Sequence, residues 1–159
     1  MQNSHYLVSL MELQLNILDL VTDEKCYDFL RSVRWSQGIN CPHCNSDNIV
    51  KNGKCSHNKQ LQKYHCNDCQ SGFNDLTDTV FQDSNKSLKV WILALYLLGL
   101  NLSNRQIAKE LDLTEKTAQQ MTTKLREGIV KKSLIYNLNN QLRSMKFTSL
   151  QDTRDSPKA

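Results

Sequence analysis

Residues 41–44 read Cys-Pro-His-Cys and residues 66–69 read Cys-Asn-Asp-Cys, and these two cysteine pairs decide the fold. Two residues between a pair of thiolates form a tight knuckle that presents both sulfurs to one ion. Two such knuckles complete a tetrahedral shell, which is the closed geometry of a structural zinc site. The sequence therefore predicts one structural Zn²⁺ that folds this segment and leaves no coordination position open for chemistry. Its predicted ligands are Cys41, Cys44, Cys66 and Cys69.

The residues around the knuckles indicate short antiparallel strands. The run from Asn48 to Gly53 ends in Asn-Gly, which is a good signal for a hairpin turn. The segments from Gln62 to His65 and from Gly72 to Leu76 read as further short strands. This order of knuckle, hairpin, knuckle and strand predicts a zinc ribbon.

Other interpretations of the cysteines stay open at this point. A redox dithiol pair or a disulfide framework uses the same residue type. Four side chains near the knuckles are alternative ligands, namely His43, Cys55, His57 and His65. The sixth cysteine is predicted to be a core residue, because it belongs to an i, i+3, i+4, i+7 stripe on a helix from Asp23 to Arg34. That stripe consists of Cys26, Phe29, Leu30 and Val33.

From Ser87 onward the apolar residues have helical spacing. Residues 90–98 are apolar nearly all round one helix, which predicts the buried centre of a small bundle. Ser103 to Gln106 reads as a capping box that opens a second, short helix. Thr114 reads as the cap of a third helix that runs to about Lys132. The predicted inward residues of the last two helices are Ile107, Ala108, Leu111, Ala118, Met121 and Leu125.

A short helix, a tight turn and a longer helix with a polar face have the outline of a helix-turn-helix, whose second helix enters the DNA major groove. At about 100° per residue, the face opposite the core carries the predicted DNA contacts Lys116, Gln119, Gln120 and Thr123. Lysine and glutamine can reach base edges, whereas threonine more often contacts phosphate or a thymine methyl. The predicted phosphate contacts are Arg105, Lys109, Lys124 and Arg126, each equally plausible as a plain surface charge. The alternative is an ordinary helical hairpin with a solvated face.

Size and charge limit the class of protein. With 159 residues and a mean hydropathy of -0.54, the chain supports one compact core or two small modules. The apolar runs are too short to cross a membrane, and no secretory leader is evident, so we expect a cytoplasmic, nucleoid-associated protein without a membrane partner. Residues 84–132 carry nine basic and four acidic side chains, a surplus that suits a polyanion such as DNA.

The ordered combination of motifs resembles bacterial insertion-sequence transposases that carry an N-terminal zinc ribbon, a helix-turn-helix and then a DDE nuclease domain. The resemblance covers roughly residues 22–130. It rests on Phe29-Leu30, Arg34-Trp35 and Gly38 before the first knuckle, on Tyr64 to Cys66 with Cys69 and Phe73, on Thr79 to Phe81 with Asp83-Ser84, on Leu88 and Trp91, and on Leu111, Thr114 to Ala118 and Met121. Two residues depart from the family pattern. Asp78 stands where the family usually has glycine, and Gln119 stands where it often has tryptophan.

This resemblance implies binding of double-stranded DNA at the terminal inverted repeats of an insertion sequence during DNA transposition. It also implies a second copy or a full-length transposase as a partner. The family's nuclease uses three separated carboxylates to hold two metal ions, whereas Asp152 and Asp155 are the acidic residues beyond Val130. We therefore expect a truncated or frameshifted copy that is no enzyme.

Three alternative functions remain: a stand-alone zinc-ribbon and helix-turn-helix transcription regulator, a ribbon that binds protein through Lys51, Lys54 or Lys59, and a redox dithiol enzyme. The expected fold class is α+β, built from small modules. Residues 1–22 are an N-terminal segment, 23–83 a helix plus a zinc ribbon of short antiparallel strands, and 84–132 a three-helix helix-turn-helix domain. Residues 133–159 are a divergent tail that is predicted to be disordered.

Overall fold

A computed structural model of the protein describes residues 22–131 and 133–152. These residues form five helices and one three-stranded antiparallel sheet. This content of helices and strands agrees with the predicted α+β class. In chain order the elements are α1 (Asp23–Arg34), β1 (Ile49–Lys54), β2 (Gln62–Cys66), β3 (Gly72–Asn74), α2 (Leu88–Gly99), α3 (Asn104–Glu110), α4 (Glu115–Val130) and α5 (Leu134–Asp152). Residues 1–21 of the predicted N-terminal segment and residues 153–159 of the predicted tail lie outside this description.

The helices begin at residues whose side chains cap them. Ser87, Ser103 and Thr114 each accept a hydrogen bond from the backbone N–H three residues further on. At Ser103 the capping box is complete, because the Gln106 side chain also accepts from the Ser103 backbone. The predicted starts of α2, α3 and α4 are therefore confirmed.

The sheet has the strand order β1-β2-β3, and the predicted turn at Asn52-Gly53 is wrong. These two residues lie inside β1, where the register with β2 shifts between Lys51 and Lys54. Gly53 has a φ of 68°, a conformation that suits a β-bulge as well as a tight turn. Residues 55–61 make the connection to β2 instead.

One hydrophobic core is shared by all five helices. Leu30 of α1, Leu95 of α2 and Leu125 of α4 are fully buried in it. All six inward residues predicted for α3 and α4 are buried, which confirms the helical periodicity of that segment. Cys26 is also buried there, and desolvation raises the pKa of its thiol to about 11, so it is an inert core side chain.

The prediction of a disordered tail is wrong for residues 134–152, which form α5. Ile135 and Leu138 are fully buried, and α5 packs on α1, α2 and α4. The physical reason is an apolar stripe at helical spacing, which outweighs the polar residues around it. The stripe consists of Leu134, Ile135, Leu138 and Leu142.

Candidate metal centre

The four predicted zinc ligands converge at one point. The sulfur atoms of Cys41, Cys44, Cys66 and Cys69 all lie within 4.8 Å of one another. Two of the sulfur pairs, Cys41 with Cys69 and Cys44 with Cys66, are 3.6 Å apart. A tetrahedron with Zn–S bonds of about 2.3 Å has S–S edges of about 3.8 Å, whereas a disulfide requires about 2.0 Å. The cluster therefore has the dimensions of a tetrathiolate zinc site and excludes disulfides within it.

The two knuckles have the same backbone design. The Cys41 N–H donates to the Ser46 carbonyl at 2.8 Å, and the Cys66 N–H donates to the Ser71 carbonyl at 3.0 Å. In each knuckle the residue after the second cysteine turns the chain with a positive φ, which is 62° at Asn45 and 58° at Gln70. The His43 N–H also donates to the Cys41 sulfur, 3.4 Å away. Such donors stabilise thiolates and orient them toward a common ion.

Side-chain hydrogen bonds hold the knuckles together. The Asp68 carboxylate in the second knuckle accepts from the Ser46 hydroxyl at 2.5 Å and from the Asn48 amide at 2.8 Å. The Asn67 backbone and side chain both donate to Asn48. The hydrogen bonds from Ser46 and, to a smaller extent, from Asn48 lower the pKa of Asp68. The sulfur arrangement therefore has an outer layer of polar contacts that fixes one knuckle against the other.

The thiols of the cluster differ in acidity. Hydrogen bonds from the side chain and backbone of Ser71 lower the pKa of Cys69 to about 6. At Cys44 the backbone of Ser46 lowers the pKa, but desolvation and the three other sulfurs outweigh it and raise the pKa to about 12. Four thiolates at this spacing repel one another, and a divalent cation removes that repulsion. The donor set therefore fits Zn²⁺, and the ribbon is a structural zinc site.

The alternative ligands lie outside the cluster. Among the described residues, the four clustered cysteines are the only group of three or more potential ligands close enough to hold an ion. His65 points a ring nitrogen toward the Gln70 side chain, 3.4 Å away, and His43 is exposed. Cys55 and His57 line a groove on β2 and β3 with Lys63 and Asn74.

A buried carboxylate that the sequence did not reveal joins the ribbon to α1. Asp75 is fully buried just after β3. Its carboxylate accepts from the Arg31 guanidinium at 3.0 Å, the Tyr64 hydroxyl at 2.9 Å and the Trp35 indole at 3.3 Å, and also from the Gln62 backbone. Burial and the Asp75 hydrogen bond raise the pKa of Tyr64. No local motif marks this residue, because two of its partners lie about 40 positions earlier.

The residues predicted to contact DNA are all exposed. Lys116, Gln119, Gln120 and Thr123 share the outer face of α4. In the described part of the chain, the first three have no side-chain hydrogen bond, whereas the Thr123 hydroxyl donates to the Gln119 carbonyl at 2.8 Å. Arg105 and Lys109 on α3, with Lys124 and Arg126 on α4, are exposed as well. Arg126 lies 3.4 Å from the Thr122 hydroxyl.

A sheet of three short strands carrying two facing knuckles and four convergent thiols defines a zinc ribbon. Residues 21–71 match the family described as the transposase zinc-ribbon domain, so this segment is similar to the zinc ribbons of transposases. Over 102 residues the chain is 36% identical to an uncharacterized protein in transposable element ISH50 of Halobacterium salinarum. The predicted resemblance to insertion-sequence transposases is thereby confirmed.

The similarity to the Halobacterium protein covers 64% of this chain, and the chain spans about a third, 34%, of that relative's length. No solved structure matches the chain. Within the described residues, no helix is both long enough and apolar enough to traverse a lipid bilayer.

Proposed function

We propose that this chain is the DNA-binding portion of a transposase and that it binds the terminal inverted repeats of an insertion sequence, in the cytoplasm at the nucleoid. The observation that carries the proposal is the outer face of α4, which presents unpaired lysine and glutamine side chains beside a transposase zinc ribbon. Groups without intramolecular partners are available to base edges. Association with a second copy or with a full-length transposase remains a prediction.

In this proposal α3 and α4 form a helix-turn-helix, with α4 as the recognition helix. Asp112 turns the chain between them with a φ of 51°, and the Leu113 N–H closes the turn onto the Ala108 carbonyl at 2.8 Å. The connection thus has a fixed shape, which a recognition helix needs if its side chains are to meet defined bases. The side chains assigned to base contact lie within the first nine residues of α4, the part of such a helix that reaches bases.

The ribbon extends the proposed footprint, because one recognition helix reads only a few base pairs. Its four lysines, at positions 51, 54, 59 and 63, are all exposed. Zinc holds the ribbon in shape and performs no step of its own. We assign no catalysis to the described residues, and a strand-cleavage assay with added Mg²⁺ or Mn²⁺ tests that assignment.

Glutamine substitutions on α4 test the proposed recognition face. Gln119→Ala and Gln120→Ala should each reduce the discrimination between a terminal-repeat duplex and a scrambled duplex. A lost bidentate contact is worth about 1–3 kcal/mol of discrimination. Fluorescence anisotropy with both duplexes, at several salt concentrations, measures the effect. Gln141→Ala is the matched control, since Gln141 is an exposed glutamine on α5.

The two glutamine variants separate sequence recognition from general attraction. Loss of affinity that is equal on both duplexes would show that the outer face of α4 does not read bases. Equal binding of the unaltered protein to both duplexes would contradict the proposed function itself. Binding to a host operator at a locus without flanking repeats would favour the transcription-regulator alternative.

A further inference from the structure

A polar groove separates α4 from the segment that connects the ribbon to α2. One side of the groove is formed by residues 82–86, which we call the linker wall, and the other by Thr117, Gln120 and Lys124 of α4. Gln120 and Lys124 are also on the exposed side of α4. A second groove continues along the same side of α4 toward Lys131. The proposed recognition face is therefore bordered along one flank by the linker wall.

The dimensions of B-DNA determine what such a border would meet. The major groove is about 12 Å wide, and an α-helix with its side chains is about 10–12 Å across. A helix that enters the groove fills it, so an element packed beside the helix lies against the sugar-phosphate backbone. Contacts from that element position the protein on the duplex and do not read bases.

The linker wall is held in place, so its side chains are presented in a defined arrangement. The Trp91 indole of α2 donates to the Ser84 hydroxyl at 2.8 Å, and the Lys86 N–H donates to the same oxygen at 3.1 Å. Phe81, just before the wall, packs edge-on against Trp91 with ring centroids 5.7 Å apart. The groove has three charged side chains, Asp83, Lys86 and Lys124, of which two are positive.

We propose that the linker wall is a second DNA-contacting element, in which Lys86 binds a backbone phosphate at the edge of the groove that α4 enters. Asp83 lines the same groove, so its carboxylate opposes this contact and weakens binding. The inference rests on the proposed function, because it requires α4 to lie in the major groove. It assigns opposite effects to two charges in one short segment, which a purely structural role of the segment would not produce.

Charge-removing substitutions test the inference. Lys86→Gln should weaken binding to repeat and scrambled duplexes alike and reduce the slope of log K against log salt by about 0.9, the value for one lost phosphate contact. Asp83→Asn should strengthen binding about two- to fivefold at low salt, the range for an exposed charge pair, with the gain vanishing at high salt. Asparagine tolerates the φ of 55° that Asp83 adopts.

Two controls carry the same charge changes outside the groove. Lys89→Gln removes a positive charge three residues further along the chain. The Lys89 ammonium interacts electrostatically with the Cys26 thiol of α1 and does not line the groove. Asp78→Asn removes the carboxylate of a residue that also has a positive φ, of 59°. The Asp78 carboxylate interacts electrostatically with Arg34. Both controls should leave the affinity and the salt slope unchanged. Circular dichroism of each variant checks that the fold is retained.

The outcomes distinguish this inference from the proposed function. If the unaltered protein prefers repeat DNA while Lys86→Gln keeps the salt slope and Asp83→Asn gains nothing, the linker wall is not a DNA contact and only this inference is overturned. If the unaltered protein shows no preference for repeat DNA, the proposed function falls and the inference with it. Equal effects of Lys86→Gln and Lys89→Gln would reduce the result to net charge and would also overturn the inference.

Discussion

Cys66 is the zinc ligand that is most enclosed by the ribbon. It is fully buried at the end of β2, and its N–H closes the second knuckle. Cys66→Ser should therefore release zinc and unfold the ribbon, because metal-binding energy and folding energy are the same quantity in such modules. Zinc content per chain and the amide signals of β1, β2 and β3 in an NMR spectrum measure both effects.

Cys55→Ser is the matched control for this change. Cys55 is partly buried in the connection between β1 and β2 but lies outside the sulfur cluster, so zinc content should stay at one ion per chain. A Cys66→Ser protein that remained folded with zinc bound would mean that another side chain, such as the adjacent His65, completes the shell. The same outcome would contradict the tetrathiolate assignment.

The ligand cysteines and the buried Asp75 differ in how far they could be predicted. The spacing within each knuckle is a local pattern with one strong chemical meaning, so the zinc site could be predicted from residues 41–69 alone. Asp75 gains its role from side chains of α1 and β2 that fold against it. In the sequence, Asp75 is one aspartate among several, and no periodicity or motif distinguishes it from those that are exposed in the folded protein.

The contact between α4 and α5 depends on one glycine. A Cβ atom placed on Gly128 would lie 2.7 Å and 2.9 Å from two carbons of the Ile135 side chain and 3.1 Å from the Ser133 hydroxyl. Alanine is normally the better helix former by about 1 kcal/mol. Here the overlap should dominate, and we expect Gly128→Ala to lower the free energy of unfolding by about 1–3 kcal/mol, the usual cost of overpacking.

Urea unfolding followed by circular dichroism measures this change. Glu127→Ala is the control, because Glu127 precedes the glycine and is exposed, so it should alter stability little. The double variant Gly128→Ala with Ile135→Ala should lose less stability than the sum of the two single variants, because Ile135→Ala removes Cγ1, the nearer of the two crowding carbons. An increase in stability for Gly128→Ala alone would show that α5 does not pack closely on α4.

The elements themselves were predictable to different degrees. The caps at Ser87, Ser103 and Thr114 and the stripes that follow them are local signals, and the helices begin where these signals indicate. The turn predicted at Asn52-Gly53 is absent, because a glycine with positive φ fits a β-bulge as well as a turn. The pairing of β1 with β2, which the local sequence does not specify, decides between the two. Residues 134–152 diverge from the family pattern and still form a helix, because their apolar residues keep helical spacing and pack on the core.

At the scale of the whole molecule, the hydrophobic core of the helices extends into the segments that flank the ribbon strands. Tyr27 and Leu30 of α1, Leu61 before β2 and Phe81 of the connecting segment all belong to the core that α2–α5 share. A smaller cluster around Tyr64, Cys66 and Phe73 lies under the ribbon sheet. This arrangement supports a fixed relation between the ribbon and the proposed recognition helix, as joint reading of one DNA site would require.

The Asp75 carboxylate is one of the polar connections between α1 and the ribbon, since Arg31 and Trp35 reach it from α1 and its C-terminal end, and Tyr64 reaches it from β2. Asp75→Ala would leave the buried donors without an acceptor and the Arg31 charge without its buried partner. Breaking a buried ion pair in this way costs about 3–5 kcal/mol. We therefore expect a loss of that size in urea unfolding of the zinc-loaded protein, with a drop in affinity for repeat DNA as the ribbon loses its fixed position.

Asp47→Ala is the matched control, because Asp47 is an exposed aspartate beside the first knuckle and should contribute little to stability. Asp75→Asn separates the effect of charge from that of shape, because the amide keeps an acceptor oxygen for Tyr64 or Trp35 but cannot neutralise Arg31. The stability of Asp75→Asn should therefore lie between that of the unaltered protein and that of Asp75→Ala. Unchanged stability of Asp75→Ala would mean that other contacts, such as the hydrogen bonds from Arg34 to the Asp75 and Thr77 carbonyls, hold the ribbon and α1 together without the carboxylate. In that case the carboxylate would have no part in setting how the zinc module lies against the helices.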